Sequence, residues 1–402
     1  MFYAVANYDF KLSPKRDFPF YYYSYRPITL LLRGVVGLFV FIIKYKIAID
    51  WSKMYEVGFY AGKFMPFHNG HLNCVLRAAS QCRKLYVICM YNGDIELDVW
   101  YNQNIRMDKK YLTPHIRELV MRKELKDIPN IEVIMYDSLD AIYRAHEENK
   151  TSWECECEDI VSMIGKFDAC YSSELEYHEL FQKYYPWAKS IVLDVERNNV
   201  NISGTAIRNM NIRELYQYLP RAYQQILNKS VLIVGTESCG KSTLTKKLAK
   251  FFNTSYTEEY GRMICEQYGM SSPGIEFYNQ FLYGQKLAEV EARKKGNIVY
   301  FCDSDSTITN FYARHYENTN LPIADIISSI NDYDLILYVE PTTEWVADGL
   351  RKDGEKEERY KNNKVLKDMF VKEYGKEIKI LNGNYEQNYL MAISYVKEML
   401  EG

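Results

Sequence analysis

Two glycine-containing loops restrict this chain more than anything else in it. The first is Gly62-Lys63-Phe64-Met65-Pro66-Phe67-His68-Asn69-Gly70-His71, which follows the apolar run 55–61. The second is Gly235-Thr236-Glu237-Ser238-Cys239-Gly240-Lys241-Ser242, which follows Ser230–Val234. Each loop leads into a stretch of helical periodicity. A strand that hands over to a helix through such a loop opens a βαβ unit, and the ligand of such a unit sits at the carboxyl end of the strand. The loops lie about 170 residues apart and neither copies the other. The expectation is therefore two α/β domains with parallel sheets, not an internal repeat. A length of 402 residues allows two or three domains. At 47% hydrophobic and 26% charged residues, the chain can bury real cores, which excludes wholesale disorder, collagen and a polytopic membrane protein.

The residue types around the first loop point to a polyphosphate. Leu72–Cys82 carries apolar residues at helical spacing, and Leu85–Met90 reads as the next strand. Two imidazoles three residues apart, His68 and His71, stand at a helix N-terminus, where backbone N–H groups and the helix dipole favour anions. Gly70 permits close backbone approach, Lys63 adds a cation, and Gly62 and Phe64 complete the loop. Further along, Ile202-Ser203-Gly204-Thr205-Ala206-Ile207-Arg208 places Ser203 as an N-cap. It sets Thr205 and Arg208 on one helical face, where Arg208 can clamp a phosphate with two hydrogen bonds. Between these segments, Thr113–Leu125 reads as a helix, and Ile131–Met135, Asp168–Ser172 and Ser190–Val195 read as strands, the last ending at Asp194. Ser172 and Ser173 fall where a loop meets the nucleotide. Arg117, Trp153 and Arg197 are weaker candidates. Trp153 can stack on a flat heteroaromatic ring, although a lone tryptophan is more often a packing residue.

The second loop matches G-x-x-x-x-G-K-[ST], a P-loop. Gly235, Glu237, Ser238 and Gly240 belong to the cradle of backbone N–H groups. Lys241 is expected to reach the β- and γ-phosphates of ATP, and Ser242 to help hold Mg²⁺. Thr243–Phe252 continues as an amphipathic helix. Ile298–Cys302 is a strand ending in Asp303-Ser304-Asp305, where one carboxylate faces the magnesium, with Asp303 the choice, and the other, Asp305, contacts substrate. The segment Thr254–Thr257 leads to Glu258-Glu259-Tyr260-Gly261-Arg262, where a carboxylate can orient or deprotonate a hydroxyl; Glu259 is the choice. Asp334–Val339 is another strand. Trp345–Arg351 opens a charged stretch running to Lys364. In small-molecule kinases a lid closing over the phosphates brings an arginine to the transferred group; Arg351 is expected in that role, with Arg359 in reserve. Leu390–Leu400 is the closing helix.

The pattern G-K-F-x-P-x-H-x-G-H, with I-S-x-T-x-x-R at Ile202–Arg208, resembles the nucleotidyltransferase superfamily, which implies adenylyl or cytidylyl transfer. No K-M-S-K-S loop of a class I synthetase is present. With the G-x-E-S-x-G-K-S loop in second place, the chain resembles the bifunctional NadR-type family over about residues 54–402. Ser172–Glu174, Glu259–Arg262, Asp303–Asp305 and Trp345–Arg351 also carry that resemblance. It implies a Rossmann-like nucleotidyltransferase domain at about 54–226 and a P-loop kinase domain at 229–402, with Pro220 and Asn228-Lys229 marking the boundary. It further implies ribosylnicotinamide kinase and nicotinamide-nucleotide adenylyltransferase activities, with nicotinamide riboside, nicotinamide mononucleotide and ATP as small-molecule partners. Tyr260, Arg262, Asp305 and Trp153 would contact substrate; Gly62, Phe64, Thr205 and Thr243 would line the ATP sites. Two other readings stay open: a nucleotide-sensing regulatory or transport-coupled binding protein with a degenerate site, and the same enzyme class acting on another acceptor, such as phosphopantetheine or a deoxynucleoside.

The remaining expectations concern the surroundings. A net charge of −3 gives no bulk reason for nucleic-acid binding. Some relatives carry an N-terminal helix-turn-helix and repress transcription, but residues 1–53 are apolar and aromatic without that pattern, so DNA binding is not carried over. Those residues hold eight basic side chains against three acidic ones. Residues 28–43 (ITLLLRGVVGLFVFII) are interrupted by Arg33, and Gly34–Ile43 is short of the about 20 apolar residues a spanning helix needs. That extension reads three ways: a marginal membrane anchor, an extra helix or poorly ordered extension, or residues foreign to the natural protein. Nine cysteines without a Cys-x-x-Cys pair fit reduced thiols and a cytoplasmic location. A homo-oligomer is left open.

Overall fold

The structure is a computed structural model that describes residues 54–93, 96–97, 105–270, 273–344 and 355–401. The apolar segment 28–43 and the Trp345–Arg351 segment, with Arg351, lie outside the described residues. Among the described residues, no helix is long and apolar enough to cross a membrane.

The first sheet holds five parallel strands in the order β3-β2-β1-β4-β5. They are β1 (Tyr55–Gly62), β2 (Cys82–Tyr91), β3 (Ile131–Asp137), β4 (Ala169–Ser172) and β5 (Lys189–Val192). The helices between them are α1 (Asn69–Ala79), α2 (Pro114–Leu125), α3 (Leu139–Glu147), α4 (Ser152–Ile164) and α5 (Leu175–Tyr184). The chain builds outward from β1 to β3 and then returns to the other side of β1 with β4. The crevice at that reversal, beyond the ends of β1 and β4, is where an open parallel sheet takes its ligand. Short helices α6 (Gly204–Asn209), α7 (Ile212–Leu215) and α8 (Arg221–Leu227) lead to the second sheet.

That sheet repeats the architecture with another connectivity. Its order is β10-β9-β6-β8-β7, all parallel. The strands are β6 (Lys229–Val234), β7 (Tyr256–Thr257), β8 (Val299–Asp303), β9 (Leu335–Val339) and β10 (Lys379–Leu381). The helices are α9 (Lys241–Phe251), α10 (Tyr260–Tyr268), α11 (Tyr278–Lys295), α12 (Ser306–Glu317), α13 (Pro322–Ile330), α14 (Lys356–Asp368) and α15 (Tyr385–Glu401). In both sheets the strand before the glycine loop is central.

The apolar runs are continuous because both faces are covered. Neighbouring residues of a strand point to opposite faces. Val231 and Ile233 join one core with Leu248, Phe301 and Val396, while Leu232 and Val234 join another with Phe311, Tyr338 and Phe370. Phe59 and Tyr60 divide in the same way across the first sheet. A strand buried on both sides has no polar alternation to show. All nine cysteines are unpaired and buried.

Three boundaries beside the motifs depart from the sequence reading. The helix expected from Leu72 begins at Asn69, because His68 itself caps it: its ring accepts from the N–H groups of Gly70 and His71. The strand expected to run to Val195 stops at Val192, and Asp194 and Arg197 take left-handed backbone conformations that no strand continues through. The helix after the P-loop likewise starts at Lys241, inside the loop motif, rather than at Thr243.

Candidate functional site

Beyond β1 lies a cleft of about 260 Å³ that gathers the first motif and its distant partner. Gly62, Lys63, Phe64, His68, Gly70 and His71 line it from one side. Ser172, Ser173, Arg197, Ser203, Thr205 and Arg208 line it from the other. The two motifs are tied directly. Arg208 is buried and donates through Nη1 to the Met65 carbonyl at 2.6 Å and through Nη2 to Thr205 Oγ1 at 3.0 Å. A Cβ on Gly204 would come within 2.9 Å of that same Met65 carbonyl, so glycine allows the approach. This differs from the expected phosphate clamp: two guanidinium nitrogens hold the motifs at their spacing. Arg197, a weaker candidate from sequence, is brought into the cleft, where its charge acts on His68.

The imidazoles are neutral. The rings of His68 and His71 stack with centroids 3.7 Å apart. Burial, then the Arg197 charge, pushes His68 down to about 4. Burial, then His68, holds His71 well below its ordinary value, against a backbone bond to Pro66. Nδ1 of His68 accepts from the amides of Gly70 and His71 at 3.1 and 3.4 Å, which leaves its proton on Nε2. A neutral imidazole with Nε2–H is a hydrogen-bond donor that costs the fold no buried charge. The shift has a stability consequence. Between pH 6.5 and about 4 the unfolded chain binds a proton at His68 that the folded protein does not. Stability therefore falls as pH drops through that window, by about 3 kcal/mol in all for this group. His68→Asn keeps a capping acceptor and is expected to give a shallower dependence of the urea midpoint between pH 7 and 4.5.

Arg117 proves to be internal. It is fully buried, paired with Glu96, and donates to the carbonyls of Lys63 at 2.6 Å and Met90 at 3.4 Å. It fastens the first loop from behind. Arg117→Met strands the Glu96 carboxyl and two carbonyls, and is expected to lower unfolding free energy by about 3–5 kcal/mol, measured by denaturant titration.

A second cleft of about 240 Å³ adjoins the first and shares Ala61, Gly62, Lys63 and Tyr177 with it. Trp153 lines it and packs edge-on against Tyr177 at 5.3 Å. An anion-friendly cleft thus opens beside an aromatic one.

The P-loop lies at the end of β6 and lines a cleft of about 180 Å³. Gly235 has φ 151° and Gly240 φ 90°; a Cβ would strike the Val339 carbonyl at 2.3 Å and the Tyr385 ring at 2.8 Å respectively. Both glycines are thus demanded by space as well as backbone. Lys241 is buried and donates to the Thr236 carbonyl at 2.9 Å. Burial opposes its charge, but Cys239, Glu259, Asp303 and Glu237 outweigh it, so the ammonium is held above its ordinary value. Asp303 ends β8, opposite Ile233 of β6, and hydrogen-bonds Ser242. Burial raises its carboxyl against the pull of Lys241, and its Oδ1 is buried without a hydrogen-bond partner. A hydroxyl beside a buried carboxylate with an unmet oxygen is the donor set a hard divalent cation takes, so Ser242 and Asp303 fit Mg²⁺.

Of the neighbouring carboxylates, Glu259 lines the cleft, whereas Glu258 faces out and pairs with Lys246 at 2.6 Å. Arg262 lines the cleft and also binds Glu266 at 2.9 Å. Asp305 lines it too, but its carboxylate caps α12 and accepts from Asn331, and burial pushes it up to about 6. Tyr260 departs from expectation: its ring packs against Gly284, leaving no room for a Cβ there. Arg359 is buried, donates to the Thr343 carbonyl at 3.1 Å, and borders a small cavity with Thr236 and Glu237; its Nε and Nη2 have no partner. Of the two lid candidates, Arg359 is the one among the described residues, and it stands beside the P-loop.

Sequence reasoning missed the wall of this cleft. Tyr278, Phe281, Tyr312 and Tyr316 line it, with Tyr316 donating to Glu237 at 2.9 Å. Gln285 is buried and donates to Thr257 Oγ1 and the carbonyls of Asp303 and Ser304, locking three elements together. The tyrosine pair 312/316, four apart on a helix, was the available signal.

The AAA domain family matches residues 230–388. Over 352 residues the chain is 26% identical to the trifunctional NAD biosynthesis/regulator protein NadR of Salmonella typhimurium, covering 86% of this chain and 83% of that protein. The phosphopantetheine adenylyltransferase of Mycoplasma mycoides subsp. mycoides is 25% identical over 155 residues, 39% of this chain and 96% of that enzyme. A crystal structure of NadR protein in complex with NR superposes with a TM-score of 0.66 at 25% identity, covering 86% of this chain and 96% of that one. The two-sheet arrangement is similar to that of NadR proteins. A further NadR crystal structure, in complex with NAD and AMP-PNP, shares the fold, with a TM-score of 0.65 at 22% identity over 87% of this chain and 97% of that one. The likeness to NadR supports a role in NAD biosynthesis or salvage, with nucleotide-binding transferase and kinase chemistry.

Proposed function

We propose that the chain is a bifunctional enzyme that phosphorylates nicotinamide riboside and adenylylates the product to NAD. In this reading residues 54–226 transfer the adenylyl group and residues 229–402 form the kinase. The observation that supports this reading is two separate clefts in one chain, each lined by motif residues suited to an anion. His68, His71 and Arg208 share one cleft, and Lys241, Ser242 and Glu259 border another, with no lining residue in common.

In the kinase half, the P-loop amides and Lys241 hold the phosphates of ATP, and Arg359 stands by with unmet guanidinium nitrogens. Mg²⁺ held by Ser242 and Asp303 would supply charge neutralisation on the phosphates. Glu259 orients the 5′-hydroxyl of the riboside and takes its proton as that oxygen bonds to the γ-phosphorus and ADP leaves. In the other half, a phosphate oxygen of nicotinamide mononucleotide attacks the α-phosphorus of ATP, forming the new P–O bond while the bond to pyrophosphate breaks. No proton need be removed from an ionised phosphate. The work is electrostatic: Lys63, the Nε2–H of His68 and the positive end of the α1 dipole favour the charge that gathers on the leaving oxygens. The adjoining cleft with Trp153 and Tyr177 receives the flat ring.

A turnover assay with ATP, Mg²⁺ and nicotinamide riboside tests the reading, with NAD as the expected product. Phosphopantetheine and deoxynucleosides serve as competing acceptors. Efficient use of either, with none of the riboside or its mononucleotide, contradicts the nicotinamide assignment.

A further inference from the structure

The aromatic cleft beside the first site carries a charge that the transfer reaction does not use. Helix α4 contains the acidic run Glu154, Glu156, Glu158 and Asp159. Three of the four are engaged elsewhere. Glu154 closes a capping box with Thr151, Glu158 pairs with Lys150 at 2.9 Å, and Asp159 binds Arg144 and the Tyr136 hydroxyl. Glu156 alone of the four lines the cleft. It lies three residues after Trp153, so helical geometry sets the two on one face, and both border the same space with Ser138 and Tyr177. Its carboxyl is half-buried and bonded to the Ser138 side chain. Burial pushes it up to about 7, opposed by the Lys63 ammonium and reinforced by Asp159. Lys63 and Glu156 are the charged residues lining the cleft among the described ones, and Lys63 is shared with the phosphate cleft.

We propose that Glu156 is a specificity-determining residue: it makes the cleft accept a cationic pyridine ring bearing an uncharged amide and refuse the same ring bearing a carboxylate. The inference rests on the assignment of this half to mononucleotide adenylylation and deepens it. A pyridinium ring stacked near Trp153 brings its positive charge against the Glu156 carboxylate, which favours the ionised form on binding. An amide can donate N–H to that carboxylate. A ring carboxylate places a second negative charge in the same partly desolvated space, where like charges repel strongly. Specificity achieved by repelling the competitor needs no tight contact to the accepted ligand.

The test compares kcat/KM for adenylylation of nicotinamide mononucleotide and nicotinate mononucleotide in wild type, Glu156→Gln and Glu156→Asp, all as the full chain. Wild type is expected to prefer the amide. Glu156→Gln should shift the ratio toward the acid by about ten- to a hundredfold, and Glu156→Asp, which keeps the charge, should retain most of the preference. Kinase turnover in the same preparations reports that each variant is folded. A ratio in Glu156→Gln within twofold of wild type overturns the role of Glu156 while leaving the adenylyl transfer assignment intact. A wild-type protein that adenylylates neither mononucleotide refutes that assignment and the inference with it.

Discussion

Replacing Lys241 with alanine is expected to lower phosphorylation of nicotinamide riboside by about 10²–10³-fold while NAD formation from supplied nicotinamide mononucleotide and ATP continues. The lysine is buried in its loop and held charged by Glu259, Asp303 and Glu237 around it. Removing it takes away the one P-loop ammonium that can follow charge onto the β- and γ-phosphates. The adenylyl cleft should not register the loss, because none of its lining residues belongs to the second sheet or its loops. ADP release measured with the riboside, and pyrophosphate release measured with the mononucleotide, separate the two rates in one preparation.

His71→Ala should do the reverse, with adenylyl transfer falling by about 10²–10³-fold and riboside phosphorylation persisting. The ring is half-buried, stacked on His68 and edge-on to Phe64 at 5.1 Å. Truncation therefore removes a neutral donor and also the partner that keeps His68 in place. His71→Asn retains a polar side chain and fills more of the space, so a loss of similar size in that variant assigns the effect to the imidazole rather than to a cavity. The persisting kinase rate reports that the protein is folded. Loss of both activities in either the Lys241 or the His71 variant, in folded protein, contradicts a two-site enzyme.

The fold was legible where burial is two-sided and a loop follows at once. Val231 to Val234 must be a covered parallel strand, because neither face tolerates a polar residue, and the glycines after it fit only a tight turn. The starts of the helices after the two loops were misread by two or three residues because the caps are themselves motif residues. His68 caps α1 with its ring, and Gly240 caps α9 from a left-handed conformation. Arg117 looked like a ligand-binding arginine because its chemistry suits one. Its partners, Glu96 and the carbonyls of Lys63 and Met90, come together only in the folded chain. Gln285 left no trace in sequence for the same reason, since its bonds reach Thr257 and the carbonyls of Asp303 and Ser304. Arg208 stood out in the sequence as a candidate and lines the first cleft, but its hold on the Met65 carbonyl was not legible, because backbone acceptors are invisible in a string of side chains.

The account turns on one chain performing two consecutive phosphorus transfers. Full-length protein incubated with ATP, Mg²⁺ and nicotinamide riboside, and sampled over time by chromatography, tests this directly. Nicotinamide mononucleotide should appear first, then NAD together with pyrophosphate. A time course in which the mononucleotide never forms, or forms without passing on to NAD, contradicts it.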